Sequence, residues 1–567
     1  MRPATVSRLT MAVAALVCAL LALQPASARA ASYTKISGGG STWSSNALDQ
    51  WRRNVAANSG MTVNYSPVGS SVGREQFKNG TADFAVSEIP YGLTESGMRD
   101  APPKRGYAYM PIVAGGTAFM YNLRIGGRKV TNLRLSGEVV TKIFTGTLTM
   151  WNAPEIRADN PGLVLPARRI IPVVRSDGSG TTAQLTTWLA KEHGGLWDAY
   201  CRRAGRSTPC GMTSYFPVVP GSSTIAKSGS LGVSGYTKQG HAEGAITYVE
   251  YSYAIKTGFP VAKVLNASGY YVEPTASSVA VALMKARINE DKNSENYLTQ
   301  ILDGVYRSAD RRTYPLSSYS YMIVPTEAES PFTTAKGKTL GSFANYFLCE
   351  GQQQAEELGY SPLPKNLVEA GFTQVRRIPG APSADIDIKS CRNPTFSSDG
   401  SNTLARNAPY PEACDKRGTT QCADGTAGAK QQTRVNSGAD GGASGGGTGG
   451  TGGTGGTGSA GGKGGAGTRG APGGSTGTDG ASGAATGGGG AASGAVDPDT
   501  GEPIEGSAGG GDASVVGNPV TLSAGGSPGL RGVLMALSAV LLLGVVVGPP
   551  LTARALAARN RRKEGQR

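Results

Sequence analysis

Histidine is almost missing from this chain: His193 and His241 are the only two in 567 residues, and the seven cysteines include no Cys-x-x-Cys pair. Zinc needs nitrogen and sulfur ligands at close spacing, so no metal centre is expected. The Walker A pattern Gly-x-x-x-x-Gly-Lys-Ser/Thr does not occur, which leaves nucleotide hydrolysis unsupported. No Lys/Arg run interleaved with aromatics lies in the body of the chain, so nucleic acid is not an expected partner. All 38 aromatic residues precede position 411. The core-forming part therefore runs from about residue 31 to about 395, long enough for two lobes, since single cores rarely grow past roughly 250–300 residues.

Glycine takes over where the aromatics stop: 34 of the 84 glycines fall between Gly438 and Gly511. Such a stretch buries too little apolar surface to offset the entropy of ordering, so 438–527 reads as a flexible linker spanning roughly 50 Å. Gly532–Leu551 carries no charge and anchors an expected transmembrane helix at 530–551, about the length that crosses a bilayer. Arg554, Arg559, Arg561, Arg562 and Lys563 follow, which places the basic tail 552–567 in the cytoplasm and the rest outside. At the other end, Arg2 and Arg8 flank the start of the apolar run Leu9–Leu23, and Ala28-Arg29-Ala30 follows it, the pattern of a signal peptide over 1–30.

An exported chain favours disulfides. Without Cys18 six cysteines remain, and sequence proximity favours Cys201–Cys210, Cys349–Cys391 and Cys414–Cys422 among 15 possible pairings, each worth about 2–4 kcal/mol. The formal charge of +15 divides into +3 in the signal segment, −5 over 438–530, +6 beyond it and +11 on the body. A basic ectodomain can gather anions.

The body alternates strand-like and helical runs, an α/β pattern. Ala108–Ala114, Ala118–Leu123, Ile170–Arg175, Ala245–Val249 and Tyr321–Pro325 read as strands. Gly137–Phe144, Thr182–Lys191, Ala276–Ala286 and Gly341–Glu357 read as helices, and 396–437 as a disulfide-clipped extension.

The chemistry concentrates where strands turn into helices. In Pro172-Val-Val-Arg-Ser-Asp-Gly-Ser-Gly-Thr-Thr-Ala183 a strand end feeds an Arg, a Gly/Ser turn and a helix start. Unpaired N–H groups and a partial positive charge make such a terminus an oxyanion site, and Arg175 adds a planar cation. Ile36-Ser-Gly-Gly-Gly-Ser-Thr-Trp43 and Val63-Asn-Tyr-Ser-Pro-Val-Gly-Ser-Ser-Val-Gly73 repeat the arrangement. Each glycine-rich turn alone is ordinary turn chemistry; three facing one cleft would form a cage of neutral donors.

These segments, with Ala82-Asp-Phe-Ala-Val-Ser-Glu88, Gly244-Ala-Ile-Thr-Tyr-Val-Glu-Tyr-Ser-Tyr-Ala254 and Tyr314-Pro-Leu-Ser-Ser-Tyr319, resemble the periplasmic phosphate-binding protein of phosphate ABC transporters, over about residues 35–380. The resemblance implies a type II periplasmic-binding-protein fold, with lobe one at 32–118 and 262–395, lobe two at 119–261, and a hinge between them. It implies inorganic phosphate as ligand, ABC permease subunits as partners, a monomer, no cofactor and no catalysis. Carried over by motif, Thr42, the backbone N–H of Trp43, Ser70, Arg175, Ser179, Gly180 and Thr181 would donate to phosphate, and Asp177 would orient Arg175.

One position departs from the family pattern: Glu88 stands where Asp is usual. A buried carboxylate there can accept the proton that phosphate retains near pH 7, whereas sulfate has none to offer. Trp43 stands where Phe is common, and its larger ring is expected to tighten the cleft mouth. Sensing or adhesion at the cell surface, or another tetrahedral oxyanion, is the alternative reading.

Enzymatic readings find little support. Gly178-Ser-Gly-Thr181 does not match the nucleophile elbow Gly-x-Ser-x-Gly. His193 is expected to complement a helix C-terminus as a cation, His241 to face solvent, and Glu250 to serve as a structural acceptor.

Overall fold

The computed structural model describes residues 33–430, apart from 96–97, 383–387, 398 and 400. The expected signal segment, linker, membrane span and basic tail lie outside the described residues. Among those described, no helix is long and apolar enough to cross a membrane.

In chain order the elements that matter are β1 (Ile36–Gly40), α1 (Ser45–Ser59), β2 (Val63–Ser66), α2 (Ser70–Lys78), β3 (Phe84–Ser87) and β4 (Tyr107–Tyr121). After the short helix α3 (Gly137–Phe144) come β5 (Ile171–Arg175), α4 (Gly180–Glu192), α5 (Gly194–Arg203), β6 (Ile225–Lys227), α6 (Gly229–Thr237), β7 (Ala245–Glu250) and α7 (Tyr251–Thr257). The chain continues through β8 (Val261–Leu265), α8 (Ala276–Leu283), β9 (Ser317–Pro325) and α9 (Thr334–Leu348).

The main sheet runs β6-β5-β7-β4-β9-β3-β1-β2, and β8 also pairs with β4. β4 is the strand on which the two lobes meet. Its first part, Tyr107–Gly116, pairs antiparallel with β9 around an irregularity at Ile112, and Thr117–Tyr121 pair antiparallel with β7. On either side the strands that feed the loops are parallel: β1 with β2 and β3, and β5 with β6 and β7. Strands in the interior of the sheet have a neighbour on each edge, and β3, β7 and β9 are buried along their whole length. The carboxyl ends of β1, β2, β3, β5 and β6 point to one crevice, where ligands of open α/β sheets bind.

The two strands read at Ala108–Ala114 and Ala118–Leu123 are one. Gly115 and Gly116 look like a turn in sequence, yet they continue β4 because other groups press against them. A Cβ on Gly115 would lie 2.9 Å from the Trp43 ring and 3.1 Å from Glu250 Oε1, and one on Gly116 would lie 2.5 Å from Pro274. The helix read at Gly341–Glu357 is α9, which starts at Thr334 with Thr333 as its cap and ends at Leu348, before a 3₁₀ turn Glu350–Gln354. Gly337 and Gly341 lie inside α9, where a Cβ would meet Pro379 O at 1.7 Å and Ala381 Cβ at 2.5 Å. Both glycines serve close packing against the segment after them, rather than helix termination.

All three sequence-nearest disulfides form: Cys201–Cys210, Cys349–Cys391 and Cys414–Cys422. The last lies in an extension that is strapped to the body by polar contacts. Buried Arg134 donates to Cys414 O at 2.8 Å and to Thr419 O at 2.7 Å, Lys263 pairs with Asp415 at 2.8 Å, and Thr426 Oγ1 donates to Val261 O at 2.6 Å. Further back, Arg312 donates to Ala405 O at 2.8 Å, and Ala405 and Ala408 pack on Val281.

Candidate functional site

Four helix N-termini meet at the crevice. α1 and α2 rise from the ends of β1 and β2, and α4 and α6 from the ends of β5 and β6. Gly69 N–H donates to Gly40 O at 2.8 Å, which joins the first two loops, and Ser71 N–H donates to Gly178 O at 3.1 Å, which joins the second to the third. Thr42 Oγ1 lies 2.8 Å from Ser230 Oγ, which joins the first to the fourth. The fourth loop, Ser228-Gly229-Ser230, follows β6 with the same strand–Gly/Ser–helix signature as the other three. The strand before it, β6, is only three residues long, too short to stand out as a strand in the sequence.

Glu88 stands just beyond β3 and is buried. Its Oε1 accepts from Ser41 Oγ at 2.7 Å, from Ser320 Oγ, and more weakly from Ser44 Oγ at 3.4 Å. Its Oε2 accepts from Ser70 Oγ at 3.0 Å. Hydroxyl donors thus replace the water a carboxylate loses on burial. Oε1 is crowded with donors, whereas Oε2 accepts from Ser70 and lies against Gly180. A Cβ on Gly180 would sit 1.8 Å from Oε2, so only glycine lets the start of α4 approach this carboxylate. Gln184, one turn on, donates to the Glu88 carbonyl at 3.1 Å. Beyond Glu88 a cavity of about 300 Å³ opens, bounded by Gln184, Lys191, Tyr306 and Tyr321 among others.

Arg175 is buried and locked in plane by Asp177. Nε donates to Oδ1 at 2.7 Å and Nη2 to Oδ2, a bidentate pair. Nη1 keeps only a long contact, 3.4 Å, to Ser230 Oγ. Burial by itself would raise the Asp177 pKa, but the hydrogen bond and charge of Arg175, with the N–H of Gly229 at 2.9 Å, hold it below the usual carboxylate range. Asp177 therefore stays ionised and fixes the guanidinium. Ser179 caps α4 by accepting from Thr182 N–H at 3.2 Å, which leaves its own O–H free to donate elsewhere. Thr181 Oγ1, two residues further along, is buried with no hydrogen-bond partner among the described residues. A buried hydroxyl without a partner is costly, and here it stands at a helix N-terminus beside the cage.

The first loop differs in part from its sequence reading. The Trp43 N–H donates to Ser41 Oγ at 3.0 Å, and Ser41 Oγ in turn donates to Glu88 Oε1. The Trp43 ring does not form the cleft mouth: it is buried against Gly115 and packs edge-on against Tyr360 at 5.8 Å, because the gap left by a residue without a Cβ accepts it. Ser41, Ser44 and Ser320 were missed as partners of Glu88. Ser41 and Ser44 flank residues that were chosen, but Ser320 lies 232 residues from Glu88, and only the pairing of β9 with β3 brings them together.

Neither histidine joins the cage. His193 lies edge-on against Trp188 at 4.9 Å, and His241 against Tyr236 at 5.8 Å. Burial pushes the His193 pKa down, so it is neutral near pH 7, contrary to the expected cation. The reason is its position: it ends α4 and also starts α5, so two opposed helix dipoles meet there and burial decides. Among the described residues, Glu412, Cys414 and Cys422 lie close enough to suggest a metal, but both sulfurs are spent in one disulfide.

Residues 25–350 match the family model described as a PBP superfamily domain. The phosphate-binding protein PstS of Xylella fastidiosa (strain Temecula1) is 31% identical over 345 residues, which cover 61% of this chain and 86% of that one. The PstS of Haemophilus influenzae is 28% identical over 333 residues, with coverage of 59% and 90%. PstS 2 of Mycobacterium tuberculosis is 30% identical over 332 residues, with coverage of 58% and 82%.

Proposed function

The chain belongs to the PBP superfamily, within the group of PstS phosphate-binding proteins, and from that premise we propose that it captures inorganic phosphate outside the cell and delivers it to an ABC importer. The observation that carries this reading is the junction of four helix N-termini around a buried carboxylate and a locked guanidinium. Thr42, Ser70, Ser179 and Thr181 offer hydroxyls, Gly180 offers backbone, and Arg175 held by Asp177 offers a planar pair of donors. Trp43 contributes through its amide, relayed by Ser41. Glu88 Oε2 is the acceptor for the phosphate proton, and its three-donor partner Oε1 keeps the group from turning away.

The charge balance supports recognition by hydrogen bonds. Arg175 and Asp177 cancel, and Glu88 adds a negative charge, so net attraction does not hold the anion. Fixed dipoles do, as in other dehydrated oxyanion sites at helix termini. Lobe one would comprise 32–118 and 262–395 and lobe two 119–261, closing about the β4 crossing. The protein would act as a monomer that binds without catalysis. Its signal segment, glycine-rich linker, single span at 530–551 and cytoplasmic tail would hold the binding domain at the outer face of the membrane.

Calorimetric titration with phosphate, arsenate and sulfate across pH tests this reading. Tight phosphate binding with sulfate excluded is expected. Equal affinity for sulfate would refute the role given to Glu88, and no phosphate binding after removal of endogenous ligand by refolding would refute the reading as a whole.

A further inference from the structure

Two tyrosine hydroxyls hold consecutive carbonyls of the first loop. Tyr253 O–H donates to Thr42 O at 2.5 Å and lies 2.7 Å from Ser45 Oγ, and Tyr360 O–H donates to Trp43 O at 2.6 Å. Both rings are buried, and burial pushes both phenols' pKa values up, so each stays a donor throughout the physiological range. The two come from opposite sides of the β4 crossing. Tyr360 precedes Ser361, whose N–H bonds to Ala114 O in the part of β4 that pairs with β9. Tyr253 stands in α7, directly after β7, which pairs with the other part of β4.

A peptide unit is planar and trans, so a hydrogen bond to one carbonyl aims the next residue's N–H the opposite way. Holding Thr42 O aims the Trp43 N–H at Ser41 Oγ, and Ser41 in turn donates to Glu88. We infer that Tyr253 is a positioning residue for ligand binding: reaching across from the far side of the β4 crossing, it orients the Thr42–Trp43 peptide so that the Trp43 N–H–Ser41–Glu88 relay forms when the lobes close. Its neighbour Ser252 strengthens the same bridge by accepting from Asn46 Nδ2 at 2.8 Å. The relay is a chain of hydrogen bonds, each polarising the next, so loss of its first member weakens the rest.

This inference rests on the phosphate reading, and the experiment separates the two. In the full-length protein, Tyr253→Phe removes one hydroxyl and no volume of note. Its Kd for inorganic phosphate is expected to rise about tenfold, while the ligand-free melting midpoint stays within about 2 °C of wild type. Tyr360→Phe, whose hydroxyl comes from the same side as the loop, is expected to raise Kd by about threefold or less. A Tyr253→Phe protein with wild-type Kd overturns the inference, and so does a Kd change matched by an equal loss of ligand-free stability, which would mark a merely structural bond. If that variant does not fold, Ser45→Ala, which removes the other hydroxyl on Thr42 O, must raise Kd about threefold, and no change overturns the inference. Absence of phosphate binding in the wild-type protein removes both the function and this inference.

Discussion

The two walls of the crevice solve one problem in different ways. On the side of β1, β2 and β3 the charged group is an acid, Glu88, and four serine hydroxyls gather on it from three segments of the chain. On the side of β5 and β6 it is a base, Arg175, neutralised by a carboxylate two residues away on the same loop. The first wall is assembled from distant residues and carries, beside its own donors, the one acceptor for a proton. The second is local and can only donate. An anion that is both acceptor and donor fits between them, as a protonated phosphate does.

That contrast can be broken most severely at Arg175. Arg175→Met leaves half-buried Asp177 without its partner, which costs up to about 3 kcal/mol. Phosphate binding should vanish from the titration and the melting midpoint should fall; a variant that binds normally would make the second wall dispensable. Glu88→Gln attacks the first wall by turning half of an all-acceptor group into a donor among hydroxyls, at a cost of about 1–3 kcal/mol. Phosphate should bind about ten- to a hundredfold more weakly while sulfate gains, so the ratio of their affinities should shrink. An unchanged ratio would show that discrimination lies elsewhere.

Thr181→Val sharpens the comparison, since this hydroxyl has no hydrogen-bond partner among the described residues. Ligand-free stability should hold or rise, whereas phosphate affinity should fall by about 1–2 kcal/mol, read by melting and titration on the same sample. The smallest effect lies outside both walls. The His193 pKa is depressed by burial, so the neutral form suits the fold: its contribution is present above the ordinary value near 6.5 and is lost as pH falls below it. Between pH 7.5 and 5, His193→Asn should lose about 1–2 °C less melting midpoint than wild type, and an equal loss would place the pH sensitivity in other groups.

The difference between the walls also explains what could be read from the sequence. Arg175, Asp177, Ser179, Gly180 and Thr181 lie within seven consecutive positions, so a strand end, a turn and a helix cap were legible together. Glu88 was legible as an acid in a small-residue segment, but its serine partners were not, because nothing near Ser320 marks it apart from other serines of β9. Tyr253 lay in a segment noted for its pattern, yet its partner Thr42 is 211 residues away. Glycines misled wherever close packing mimicked a turn, as at Gly115, Gly116, Gly337 and Gly341.

By itself the sequence determined the alternation of strands and helices, the Gly/Ser turns that open helix N-termini, the disulfide partners nearest one another and the local lock of Asp177 on Arg175. These depend on interactions over a few residues, and local chemistry decides them. Tertiary structure alone decided that β4 runs unbroken through two glycines, that Trp43 turns inward against one of them, that a fourth helix completes the cage, and that Glu88 is held by hydroxyls from across the sheet. Those outcomes depend on which strands pair, and pairing brings together residues that sequence order keeps hundreds of positions apart.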